Sequence, residues 1–194
     1  MKRQFSENNL VWDYSTYGSW VGGHFLVSNS SNGIHGILKQ WWDHYIEFQN
    51  PRVLLISENT KVKNEIQLAY NNWNIQTIDY YPEIQQGQPD FIMDICKDEI
   101  KNKYDTVINQ ATMEHLYNPF GAMKNLCEAL NKNGYLFMHT HPQAFTYHQY
   151  PRDYFRFMND WWYDLPNYIE GIKLIELYET DNSMHVFTCY QKIY

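Results

Sequence analysis

The sequence is poor in the residues that define several whole classes of protein. Only three cysteines occur in 194 residues, Cys96, Cys127 and Cys189, widely spaced and with no CxxC pair. That excludes a disulfide framework and a cysteine zinc site, and it predicts a reduced, intracellular setting. No apolar run approaches the roughly 18 residues that a membrane span needs. The N-terminal MKRQFSENNL has two basic residues with no hydrophobic stretch behind them. Neither a membrane nor a secretory signal is expected, and the chain reads as cytoplasmic. Positive charge is scarce too: 15 Lys and Arg against 22 Asp and Glu give a net charge of −7. Duplex nucleic acid is held mainly by cations that neutralise phosphates, so a nucleic-acid partner is not expected.

What is present is the make-up of a globular domain. Hydrophobic residues form 44% and charged residues 19% of the chain, wrong for a disordered protein. The length fits one domain with a small N-terminal appendage. Aromatics are abundant, at 18% with 17 Tyr and 7 Trp. They suit either a packed core or the wall of a ligand groove, since Tyr and Trp pair apolar area with a polar handle.

Residues 1–50 form a separate N-terminal helical or lid segment. Gly22-Gly23 and SNSSNG (28–33) read as turns, and Ile34, Ile37, Leu38, Trp41, Trp42 and Tyr45 then recur at helical spacing. From residue 51 to 194, strands and helices alternate. RVLLIS (52–57), IQTIDYY (75–81), PDFIMDI (89–95), YDTVINQ (104–110) and GYLFMHTH (134–141) read as five strands. Helices are expected at 60–72, 119–130 and 159–169. The pair IKLIELYE and MHVFTCYQKI, separated by Asp181-Asn182-Ser183, reads as a closing hairpin. This order predicts a Rossmann-like α/β fold, a mostly parallel sheet with helices on both faces and an antiparallel C-terminal strand.

Ligands of such sheets bind beyond the carboxyl ends of the strands, near the switch point of the winding. The residues there are Ser57 to Lys61, Asp79-Tyr80, Asp94-Ile95, Asn109 to His115 and His139 to His148. Asp79, about twenty residues after the first strand, is placed to accept ribose hydroxyls. Asp94 either faces an adenine amino group or caps the segment after it.

The segment YDTVINQATMEHLYNPFGAMKNLCEALNKNGYLFMHTHP resembles the fourth-to-fifth-strand region of class I S-adenosylmethionine-dependent methyltransferases. HQYPRDYFRFMNDWW is similar to an HxYPxDYxRF segment of relatives linked to polysaccharide modification. The resemblance runs from Arg52 to the C-terminus, about three quarters of the chain. It implies S-adenosylmethionine as donor and an oxygen or nitrogen of a small-molecule or carbohydrate-like acceptor. Asp79 and Tyr80 would hold the ribose, Asp94 and Ile95 the adenine, and Asn109-Gln110 the methionine end.

Family members carry a glycine-rich turn after the first strand; Ser57-Glu58-Asn59-Thr60-Lys61 contains no glycine. Asn59 is the residue expected to take up the left-handed backbone. Ser57 adds only a small side chain, Lys61 is placed to meet the cofactor carboxylate, and Glu58 to meet its ammonium or to obstruct it. The alternative is a non-catalytic scaffold on the same fold. A dinucleotide oxidoreductase would use Asp79 equally, but there is no GxGxxG. His141 or His148 would serve as general base, with His115, Arg152, Tyr154 and Arg156 toward the acceptor; Arg156 and Asp153 would otherwise brace the loop. Glu114-His115 also matches part of an ExxEH magnesium motif, but Ala111 replaces its first glutamate and so removes a hard oxygen ligand. The remaining Glu and His set would suit a transition metal better, yet Glu114 is expected to be a helix-capping or structural residue, and no metal is expected.

Overall fold

The computed structural model describes residues 5–6, 34–81, 83, 88–148, 151–180 and 183–194. Eight strands among them form one sheet: β1 Phe5–Ser6, β2 Arg52–Ile56, β3 Asn74–Asp79, β4 Phe91–Ile92, β5 Tyr104–Gln110, β6 Leu130–Thr140, β7 Ile172–Glu179 and β8 Val186–Lys192. Their order is β1-β7-β8-β6-β5-β2-β3-β4. The pairs from β6 to β4 are parallel, and β8, β7 and β1 add antiparallel strands at the other side. This is the expected Rossmann-like sheet. The expected turns at 22–23 and 28–33, and most of that between the last two strands, lie outside the described residues.

Helices cover both faces. On one, α1 (Ile34–Tyr45) and α2 (Thr60–Ala69) meet Val53, Leu55, Ile108, Phe137 and Phe187. On the other, α3 (Pro119–Glu128) and α4 (Asn159–Tyr168) meet Leu54, Ile56, Val107, Leu136 and Tyr190. Adjacent residues of β2 point into opposite cores, so a short strand must be apolar wherever it is buried, and Val53 to Ile56 are, with Arg52 exposed at the end. No helix among the described residues is long and apolar enough to cross a membrane.

Three local departures have physical causes. The third expected strand shrinks to Phe91–Ile92 because Asp90 turns inward, accepting from Thr77 N at 2.7 Å and Lys63 Nζ at 2.8 Å. The Asn133-Gly134 turn lies inside β6 rather than before it: Leu130 pairs with Tyr104, and Tyr135 with Thr106 beyond a bulge. Asn133 takes φ 65°, and a Cβ on Gly134 would stand 2.8 Å from Asp105 O, a contact only glycine avoids. Asn59 is extended (φ −75°, ψ 166°), correcting its expected left-handed role, and instead caps α2 by accepting from Val62 N at 2.9 Å. Asn59→Ala should therefore cost about 1 kcal/mol, read as a shift in urea midpoint; an unchanged midpoint would refute the cap.

Candidate functional site

The winding reverses between β2 and β5, which pair in parallel, so their carboxyl ends flank the switch point. Both ends are left-handed at non-glycine residues, Ser57 at φ 55° and Ala111 at φ 46°. Each costs roughly 1–2 kcal/mol. Ser57 N still donates to Ile78 O at 2.7 Å and Ala111 N to His139 O at 2.8 Å. The ladder thus runs to its last residue and then turns away abruptly. Ser57 supplies the backbone that a glycine would otherwise supply.

A cavity opens at this point. Its lining includes Ser57, Asp79, Tyr80, Asp94 and Ile95 together with Ala111, His115, Arg152 and Tyr154. Asp79 is 5% exposed. Its Oδ1 accepts from Tyr81 N at 3.0 Å, whereas Oδ2 is buried with no hydrogen-bond partner among the described residues. A desolvated carboxylate oxygen lacking a donor is costly, and at a cavity wall it is an acceptor waiting for a ligand.

Half-buried Glu58 lies nearby, accepting from Gln110 Nε2 at 2.9 Å. Burial pushes its carboxyl up to about 8; the Gln110 bond opposes this and Asp79 reinforces it. Because the folded pKa is above the unfolded one, the folded state binds more protons between roughly pH 4.5 and 8. Stability from this group is present at low pH and lost as pH rises through that window. Glu58→Gln should accordingly be more stable than wild type at pH 8, the gap closing toward pH 5. A gap that stays constant across this range in thermal melts would contradict the shift.

Asp94 is already engaged. Its Oδ1 accepts from Cys96 N at 3.0 Å, its Oδ2 from Tyr117 OH at 3.1 Å, and Lys97 Nζ stands at 3.3 Å from Oδ2. Burial would raise its carboxyl, but these bonds prevail and hold it below the usual range. Several other candidates are not brought to the cavity. Lys61 lies on the outer face of α2, 3.9 Å from Glu65. Asn109 is fully buried within the sheet, and neither it nor Gln110, which donates to Glu58, lines the cavity. Arg156 braces its own loop, binding Asp153 and the carbonyls of Phe145 and Thr146. Against the cost of burial, Arg156 and His148 hold the Asp153 carboxyl down to about 2.

Glu114, expected as a capping or structural residue, lies where three histidine side chains meet. It sits fully buried in the 3-10 turn Met113–His115, where Thr140 Oγ1 donates to its Oε2. Its Oε1 has no hydrogen-bond partner among the described residues. His141 Nε2 lies 3.3 Å from that oxygen, and the Nε2 atoms of His115 and His148 each lie 3.8 Å from it. Burial pushes the Glu114 carboxyl up to about 7 and the His141 imidazole down to about 3. His141 is 2% exposed and stacked on Phe145, whereas His148 is one-third exposed. The Glu-His dipeptide was the available signal; the partners from 141 and 148 are set by the β6 end and its following loop.

Residues 23–182 match the family model described as a methyltransferase domain. No curated protein matches the chain. Among solved structures it is similar to the plantazolicin methyltransferase in complex with SAH, with TM-score 0.61 and 10% identity over 81% of each chain. It is similar also to an S-adenosylmethionine-dependent methyltransferase from Clostridium acetobutylicum (TM-score 0.59, 8% identity, 82% of this chain and 90% of that one). A third is the magnesium protoporphyrin IX methyltransferase from Synechocystis with bound SAM (TM-score 0.57, 14% identity, 81% and 77%). At these identities the structural likeness concerns the fold.

Proposed function

The chain belongs to the methyltransferase-domain family, and on that premise we propose that it transfers a methyl group from S-adenosylmethionine to an oxygen or nitrogen of a small-molecule or carbohydrate-like acceptor. The observation that carries this reading is the unpartnered Asp79 Oδ2 at the cavity wall. An acidic side chain ending the strand next to the switch point suits the two hydroxyls of a ribose.

The remaining wall fits the rest of that cofactor. Ile95 offers an apolar face for an adenine ring, with Tyr80 beside it. Asp94 fixes the turn that carries Ile95 and Cys96, so its role there is to position rather than to donate a free oxygen. Ser57 lines the cavity and brings the backbone close. When bound, the cofactor supplies a sulfonium methyl with a good leaving group. The protein's contribution is then chiefly alignment and exclusion of water.

Arg152 and Tyr154 line the same cavity beside His115 and form the side on which an acceptor would lie. Between the two candidate bases, His148 has the better access: it is part exposed, and its Nδ1 stands 3.5 Å from Asp153 Oδ2. An acceptor hydroxyl or amine must shed its proton, and an imidazole is suited to take it. His141 lies behind, under Phe145.

The second reading, a scaffold without cofactor, was motivated by the glycine-free loop. Ser57 at φ 55° speaks against it, because the turn is kept without glycine. Calorimetric titration with S-adenosylmethionine and with its demethylated product tests the matter. Saturable binding is expected for both; no detectable heat at millimolar ligand would favour the scaffold.

A further inference from the structure

We propose that Glu114, His115, His141 and His148 form a binding site for one divalent transition-metal ion beside the cavity. The first observation is convergence. Three Nε2 atoms lie 3.3, 3.8 and 3.8 Å from one carboxylate oxygen, Glu114 Oε1, which is fully buried and has no hydrogen-bond partner among the described residues. The donor atoms of Glu114, His115 and His148 all fall within 4.8 Å of one another.

The second observation fixes the protons. The Nδ1 of His115 bonds to the carbonyl of Arg152, and that of His141 lies 3.1 Å from the carbonyl of Met184. A carbonyl only accepts, so in each neutral ring the hydrogen sits on Nδ1 and Nε2 carries a bare lone pair. His148 Nδ1 stands 3.5 Å from the Asp153 carboxylate without a hydrogen bond among the described residues, so that contact orients the ring but does not fix its tautomer. Lone pairs from two rings therefore face an anionic oxygen in a dry pocket. One proton could bridge the His141 and Glu114 pair alone. A single cation satisfies all four groups, and these Nδ1 partners are the outer contacts that orient metal-binding histidines.

The dimensions and donor types select the ion. Metal–ligand bonds of about 2.0–2.2 Å in a tetrahedral site put neighbouring donors about 3.3–3.5 Å apart. Of the separations from Glu114 Oε1, the shortest meets that spacing and the other two need to close by a few tenths of an ångström. The donors of Glu114, His115 and His148 lie within 4.8 Å of one another and must also draw together, and His141, which groups with His139 and His185, must join them. Three imidazoles and one carboxylate suit zinc, cobalt, nickel or iron(II), whereas magnesium prefers an oxygen cage. The loss of a glutamate at Ala111 removes an oxygen donor and is consistent with such an ion.

The site is approachable from the cavity. His115 lines it and is 13% exposed by side chain, and His148 is 33% exposed. On the methyl-transfer reading, an ion here would hold an oxygen or nitrogen of the acceptor next to the methyl donor and favour loss of its proton, with His148 then a ligand and not the general base. That consequence rests on the reading; the metal site does not.

The test uses the full chain, stripped with a chelator and titrated with Co2+ alone. Expected are one equivalent bound and the intense visible absorption of a low-coordinate site. His148→Ala, a part-exposed position that should leave the fold intact by circular dichroism, is expected to weaken Co2+ binding at least tenfold, and Glu114→Gln likewise. Asp153→Asn, acting through His148, should weaken it by about 10–100-fold. No Co2+ binding by the wild type would overturn the proposal. So would equal affinity in the wild type and His148→Ala, or tighter binding of Mg2+ than of Co2+. A parallel titration of the metal-free chain with S-adenosylmethionine separates failure of the site from failure of the methyl-transfer reading.

Discussion

Trp41→Ala is expected to lower the unfolding free energy by about 3–5 kcal/mol, the range for truncating a large buried aromatic side chain. Trp41 lies on α1, is 0% exposed, and sets its ring edge-on to Phe187 of β8 with centroids 6.5 Å apart. Ile37, Leu38, Trp42 and Tyr45 of the same helix are buried in the same core cluster. Removing the indole leaves a cavity where α1 meets the sheet, in a protein whose total stability should be only about 5–15 kcal/mol. Trp41→Phe should be far milder. It keeps an aromatic ring against Phe187, and it deletes a buried Nε1–H that has no acceptor. Urea unfolding of the two variants decides the point. If Trp41→Ala moved the midpoint no more than Trp41→Phe, α1 would be a loosely attached flap and not a layer of the core.

The sheet was legible in the sequence because its central strands are buried on both faces. RVLLIS is a short run with an apolar centre, and YDTVINQ, though only Val107 and Ile108 in it are aliphatic, is bounded like it by turn residues. Edge geometry was harder to read. β4 is two residues long because Asp90 bonds inward to Thr77 and Lys63, partners that no local pattern displays. The cavity wall was partly legible: Ser57, Asp79, Tyr80, Asp94, Ile95, His115, Arg152 and Tyr154 all reach it, since strand ends in a parallel sheet are predictable from strand positions. What failed was the assignment of backbone roles within the loop after β2. Asn59 has the higher left-handed propensity, yet its side chain is more useful as a cap to α2, and the strained conformation falls to Ser57. Glu114 was underrated for a related reason. Its importance comes from three rings that arrive from 115, 141 and 148, and only the first is a sequence neighbour.

Asp79 provides the sharpest division between a structural and a functional role. Asp79→Asn should weaken S-adenosylmethionine binding by about 1–3 kcal/mol, the scale for losing hydrogen bonds to a charged group. That corresponds to about 5- to 150-fold in affinity, since 1.36 kcal/mol is a factor of ten. Stability should move the other way or not at all. Asp79 Oδ2 has no partner among the described residues of the free protein, and the charge of Asp79 helps push the Glu58 carboxyl up. Neutralising it relieves that repulsion while sparing Oδ1 as acceptor for Tyr81 N. Weakened binding with undiminished stability is the signature of a residue kept for its ligand at a cost to the fold. Unchanged affinity would place the cofactor elsewhere, and a drop in stability matching the loss of affinity would make Asp79 a structural residue. Asp79→Ala sharpens the comparison, because it also removes the Oδ1 bond and so should lose stability as well as affinity. The two variants together separate what Asp79 does for the turn from what it does for the ribose.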